Sequence, residues 1–185
     1  IPGEEYARRG SGLVLAGYGL SGLAAMLFQI AWTRVLVLVV GSSVYALALV
    51  VSAFILGLAV GSSIASRLAD RLRSPSLAFA WAEIGIGASA LAMVPVFQRF
   101  PDWMLHLVPS LSPDFAKFQL VQFGLIFVAL LLPTACMGLC LPFVARAVLR
   151  GVEHTGRTVG TAYSANTVGT IVGAFCGGFL FLPHL

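Results

Sequence analysis

Charge is what this sequence has least of. Lys, Arg, Asp and Glu together make up 10% of its 185 residues, whereas 59% are hydrophobic. A soluble domain carries about 25% charged residues because its surface must be solvated. A chain with less than half that share cannot cover a globular surface, so most of its exterior faces lipid. The mean hydropathy of +0.97 agrees. Acids are scarcer than bases, seven against eleven, and the net charge is +4. That excess does not indicate nucleic acid, because the basic residues fall in short clusters between apolar runs, where they orient a membrane protein. Cysteine is scarce too: Cys136, Cys140 and Cys176, all inside apolar stretches. Cys136 and Cys140 are four apart on one helical face, not at the spacing of redox or zinc pairs, so no disulfide framework or metal site is expected. His106, His154 and His184 fall near span boundaries, which disfavours an intramembrane haem site, and no cofactor is expected. No soluble stretch is long enough to form its own core, and no catalytic site is visible.

What the sequence has is long apolar runs. A helical crossing needs roughly 20 apolar residues, and the chain divides into spans at about 12–31, 44–64, 77–97, 120–145 and 161–182. The expected fold is therefore all-α, a polytopic transmembrane bundle of about five spans. Residues 1–11 form an N-terminal segment and 12–185 one membrane domain. The chain begins at Ile1 and ends at Leu185 just after an apolar run, so it reads as part of something longer. The first apolar run, 12–40, is too long for one upright crossing; a span followed by an interfacial stretch would place Trp32 and Arg34 at headgroup level. The segment 98–117, with Pro101, Pro109 and Pro113 among Trp103, Leu105 and Leu107, reads as an amphipathic linker along the membrane surface.

Basic residues set the orientation. Arg8, Arg9, Arg67, Arg71, Arg73, Arg146, Arg150 and Arg157 share one side if five spans alternate, against Arg34, Arg99 and Lys117 on the other. That asymmetry puts the N-terminus in the cytoplasm.

Two stripes of small residues recur every four positions: Ala53, Gly57, Gly61, Ala65 and Ala165, Gly169, Gly173, Gly177. Lipid supplies no hydrophobic drive between helices, so close backbone approach through small residues must supply packing contacts. Both stripes are expected contact faces, and such faces also permit sliding in transporters. Gly17-Tyr-Gly-Leu-Ser-Gly22 matches the dinucleotide fingerprint only by accident, since it lies within an apolar helix rather than after a strand. Glu83 is the one acid well inside a span, and with Gln29 and Asn166 it completes the deep polar set. A buried carboxyl should face the bundle interior and be neutral or partnered, by Gln29, Trp32 or a backbone group. The three form either a polar site or simple interhelical hydrogen bonds, the structural role being the plainer.

Arg67-Leu-Ala-Asp70-Arg71-Leu-Arg73, after a glycine-bearing helix, resembles the cytoplasmic second-to-third loop of the major facilitator superfamily, where the acid pairs with neighbouring helix ends; Leu72 stands where that family usually has glycine. Further strings accompany it: Gln29-Ile-Ala-Trp32-Thr-Arg34, Gly41-Ser-Ser-Val-Tyr45-Ala, Phe54-Ile-Leu-Gly57, Glu83-Ile-Gly85, Pro133-Thr-Ala-Cys-Met-Gly138 and Tyr163-Ser-Ala-Asn166-Thr. In this order they resemble the membrane domain of bacterial spermidine-synthase-like proteins, also described as fused major facilitator/spermidine synthase proteins. The resemblance implies part of a bacterial major-facilitator-like half, in the inner membrane, and the first functional expectation is that it handles or delivers a polyamine or related cation. It also implies a fused or associated aminopropyltransferase-like domain, whose activity would lie past residue 185, since no residue here matches its cofactor loop or acids. The alternative is a non-catalytic accessory subunit packed against other membrane subunits or copies of itself. A complete secondary transporter is disfavoured, since five spans fall short of one six-helix repeat.

Overall fold

A computed structural model describes residues 2–111, 114–148 and 155–181. Pro113, Arg150, His154 and His184 lie outside the described residues, as do the side chains of Arg8, Arg9, Leu107 and Pro109. Five long helices follow one another: α1 Pro2–Val40, α2 Val44–Leu68, α3 Pro75–Leu111, α4 Phe115–Val148 and α5 Thr155–Phe175. A 3-10 turn, Ala69–Arg71, extends α2, and a π-helical segment, Cys176–Phe181, extends α5. Stretches of all five are long and apolar enough to cross a membrane, from Gly10–Val40 to Gly156–Phe181. The chain is an all-α, multi-pass membrane bundle.

Two sequence expectations fail for the same reason. The stretch after residue 31 is not interfacial but the continuation of α1, and Trp32 is buried, stacked on Phe28 at 5.3 Å and close to Phe97 of α3. The stretch 98–111 is not a surface linker but the end of α3, with Phe100 fully buried. In both places apolar residues at helical spacing find a neighbouring helix, and that packing outweighs tryptophan's preference for the interface and proline's for helix ends. The N-terminal segment is likewise helical from Pro2, part of α1.

Contacts fix the relative directions of the helices. Tyr18 meets Phe79 and Trp32 meets Phe97, so α1 and α3 run parallel. Gly19 and Leu23 of α1 meet Gly169 and Gly173 of α5, again in parallel. Gly57 faces Thr134, and Leu58 faces Gly138, so α2 and α4 are parallel as well. Gly85 touches Cys136 and Glu83 touches Cys140, so α3 and α4 are antiparallel. The helices alternate up and down, as five successive crossings require.

Close packing rests on the two small-residue stripes. Ala53, Gly57, Gly61 and Ala65 are all buried against α4 or its surroundings. A Cβ built on Gly61 would overlap the backbone of Ala135, and one on Gly138 would overlap the backbone of Leu58. Gly169 and Gly173 abut the α1 backbone at Gly19 and Leu23, and Gly177 abuts Leu27 and Ile30. Only hydrogen fits between these backbones, and the reward is dispersion contact along the seam. Ser62 adds a hydrogen bond, its hydroxyl donating to the Gly138 carbonyl at 3.0 Å.

The turns are short and capped. Gly41 ends α1 with a positive φ of 108°, a conformation side chains rarely adopt, and Ser43 caps α2 by accepting from the Ala46 amide at 3.1 Å. Asp114 caps α4 by accepting from the Lys117 amide at 3.2 Å, and its carboxylate lies 3.1 Å from the Lys117 ammonium. The amide and then the ammonium hold the Asp114 carboxyl below its usual range.

Candidate functional site

Glu83 lies eight residues into α3, about 12 Å along the helix from its start at 1.5 Å per residue. It is turned inward. The Cys140 thiol on α4 donates to Glu83 Oε1 at 3.5 Å and is shared with the Cys136 carbonyl at 3.4 Å. Ser21 on α1 is in hydrogen-bonding range of both Glu83 and Cys140. Ser21 and Cys140 are buried and Tyr18 is one turn away, its ring edge-on to Phe79 at 6.2 Å. Three helices thus meet at one carboxyl group. The partners are not those expected from sequence: neither Gln29 nor Trp32 reaches Glu83, because each lies more than two turns further along α1 than Ser21.

Ser21 and Tyr18 also form one wall of a partly open cavity of about 290 Å³ lined by α1, α2, α4 and α5. Gln29, Ser62, Asn166 and Thr170 supply its other polar groups. At about 30 Å³ per water molecule in the liquid, this space holds on the order of ten waters or one short flexible ligand. Among the described residues no cationic side chain lines it. The wall is mostly apolar but adds hydroxyl and amide oxygens and an aromatic ring, and Ser21 links it to the Glu83 carboxyl. That set favours ligands rich in N–H donors and positive charge.

Of the residues singled out in the sequence, Gln29 and Asn166 therefore meet at the cavity, with Glu83 behind Ser21. Asn166 is held against Gly22, where a Cβ would strike its side-chain oxygen and backbone. Trp32 and Arg34 are not part of this site; Trp32 packs in the core, and Arg34 faces an open groove between α1 and α2. Asp70 and Arg71 lie at the end of α2, where Asp70 pairs with Arg146 of α4 at 3.4 Å, both exposed. Tyr18, Ser21 and Cys140 were not anticipated. A signal was available: Tyr18, Ser21, Gly22, Ala25, Met26 and Gln29 recur at helical spacing, and all six line the cavity.

Among the described residues no group of His, Cys, Asp and Glu could hold a metal ion, and the three cysteines are unpaired. Compared with protein-family models, curated proteins and solved structures, the chain matches none. What the fold defines is a class: a multi-pass, all-helical membrane protein that sits in a lipid bilayer.

Proposed function

We propose that this chain is the membrane domain of a spermidine-synthase-like protein and that it handles a polyamine or related organic cation in the bacterial inner membrane, N-terminus in the cytoplasm. One observation carries the reading. Among the described residues, the one carboxyl group well inside the spans accepts from Cys140, with Ser21 beside it, next to a cavity lined by apolar residues and by Ser21, Gln29, Ser62, Asn166 and Thr170 but by no described cationic side chain. A carboxyl group in hydrocarbon is costly, and a fold retains one where it has an interior partner or task. The neighbouring Tyr18 ring and the oxygens of Gln29, Ser62 and Asn166 give an alkylammonium chain a second, softer set of partners. Aminopropyl transfer would belong to a separate soluble domain; the membrane bundle contributes binding and passage. Spermidine uptake into vesicles containing the purified protein tests this. Loss of uptake in Glu83→Gln at unchanged helicity supports the reading, and equal uptake by both proteins rejects it.

A second reading, an accessory subunit in a larger membrane assembly, is favoured by the outer face of α5. There Val168, Ile171, Phe175 and Phe179 stand exposed beside a tightly packed glycine seam. Copurification of a stoichiometric partner, with no cation binding, would select this reading over the first.

A further inference from the structure

A second recess adjoins the cavity beside Ser21 and shares Met26 and Gln29 with it. This open groove of about 600 Å³ runs between α1 and α2 and ends at the Gly41 turn. Its walls are mostly apolar, with Met26, Ile30, Leu47 and Val51 among them, and Gln29 and Thr33 add polar groups along α1. At the turn it is polar, with the hydroxyl residues Ser42 and Ser43, and Arg34 joins them from further along α1.

Arg34 lies six residues before the end of α1, about 9 Å from the helix terminus. Among the described residues it has no ion pair and no hydrogen bond. Two acids are described toward this end of the bundle. Asp114 is engaged by Lys117, and Asp102 forms no ion pair with any described residue. A guanidinium at that depth needs an anion or water within reach. Its planar fork binds phosphate oxygens two at a time.

We infer that the α1–α2 groove is a phospholipid site, with the phosphodiester on Arg34 and an acyl chain along the apolar wall that includes Met26, Ile30, Leu47 and Val51. The match is one of sequence in space. The hydroxyls of Ser42 and Ser43 stand at the turn, Arg34 with its long side chain lies about 9 Å further along α1, and Ile30 and Met26 follow one and two turns beyond it, so a polar and charged stretch gives way to an apolar one as phosphate gives way to acyl chain. Anionic headgroups bind best, since a zwitterionic headgroup already neutralises its own phosphate. The proposal does not rest on the reading of Glu83, although the groove shares Met26 and Gln29 with the neighbouring cavity.

Purified protein titrated with phosphatidylglycerol, phosphatidylcholine or inorganic phosphate, with bound ligand read by native mass spectrometry, tests this. Wild type should retain phosphatidylglycerol, retain phosphatidylcholine less well and retain no inorganic phosphate. Arg34→Gln should weaken phosphatidylglycerol retention about tenfold, while Arg34→Lys, which keeps the charge but loses the fork, should fall between. Leu47→Trp fills the groove without touching the charge and should lower retention of both lipids. Equal retention of phosphatidylglycerol by wild type and Arg34→Gln overturns the site. If Arg34→Gln does not fold, unchanged retention by Leu47→Trp overturns it instead.

Discussion

The Cys140 thiol and the Glu83 carboxyl meet at 3.5 Å across the antiparallel seam of α3 and α4, with Ser21 of α1 in range of both. The contact joins the α1–α5 half of the bundle to the α2–α4 half through α3. Interhelical hydrogen bonds in membranes average about 0.6 kcal/mol and reach about 1.7. Cys140→Ser should keep the contact and be nearly neutral. Cys140→Val should lower unfolding free energy by an amount within that range, measured by reversible denaturant unfolding in detergent. A loss as large for Ser as for Val would mean that packing, not hydrogen bonding, holds the seam.

The glycine seams make a sharper prediction. A methyl group on Gly61 meets the Ala135 backbone, which cannot move aside, whereas one on Gly87 meets nothing within 4 Å. Gly61→Ala should therefore destabilise by about 1–3 kcal/mol, the usual cost of overpacking. Gly87→Ala should be silent in the same unfolding assay. On α5, Gly173→Leu should disrupt assembly, while Leu180→Ala, at an exposed position, should not.

These stripes were legible in the sequence because a four-residue repeat of small residues has one physical use in lipid, close helix contact. Their partners were not legible. Nothing local to Gly169 or Gly173 says that α5 lies along α1, nor does anything at Gly57 point to Thr134; pairing is settled by the whole bundle. Trp32 was misplaced because tryptophan beside arginine has the composition of an interface, and only Phe28 and Phe97 show that it is enclosed. Glu83 was visible as a lone intramembrane acid. Its partners were not, because Ser21 and Cys140 are residue types common in packed helices, and only the helix pairing brings them together.

The ion pair of Asp70 and Arg146 ties the ends of α2 and α4 at 3.4 Å. Both side chains are exposed, so the pair should contribute only roughly 0.2–1 kcal/mol and weaken with salt. A double-mutant cycle through Asp70→Asn and Arg146→Gln measures it. A coupling energy well above that range, or one insensitive to salt, would show a bridge shielded from solvent.

The alternation of the helices places Ser74 at one end of the bundle and Ser42 at the other. With the N-terminus in the cytoplasm, a cysteine introduced at Ser42 in a background lacking Cys136, Cys140 and Cys176 should react with an impermeant maleimide in intact cells. One at Ser74 should react only after lysis. The reverse pattern would invert the orientation and leave the helix pairing unchanged.

The most direct test of the account is equilibrium binding of radiolabelled spermidine to the purified protein, wild type against Glu83→Gln. The amide preserves size and can still meet Ser21 and Cys140, so fold and thermal stability should be unchanged while the negative charge is lost. The account predicts saturable binding by wild type and at least about tenfold weaker binding by Glu83→Gln, which corresponds to 1.4 kcal/mol or more of lost charge–charge attraction. Indistinguishable affinities for the two proteins, or no saturable binding by folded wild type, would contradict it.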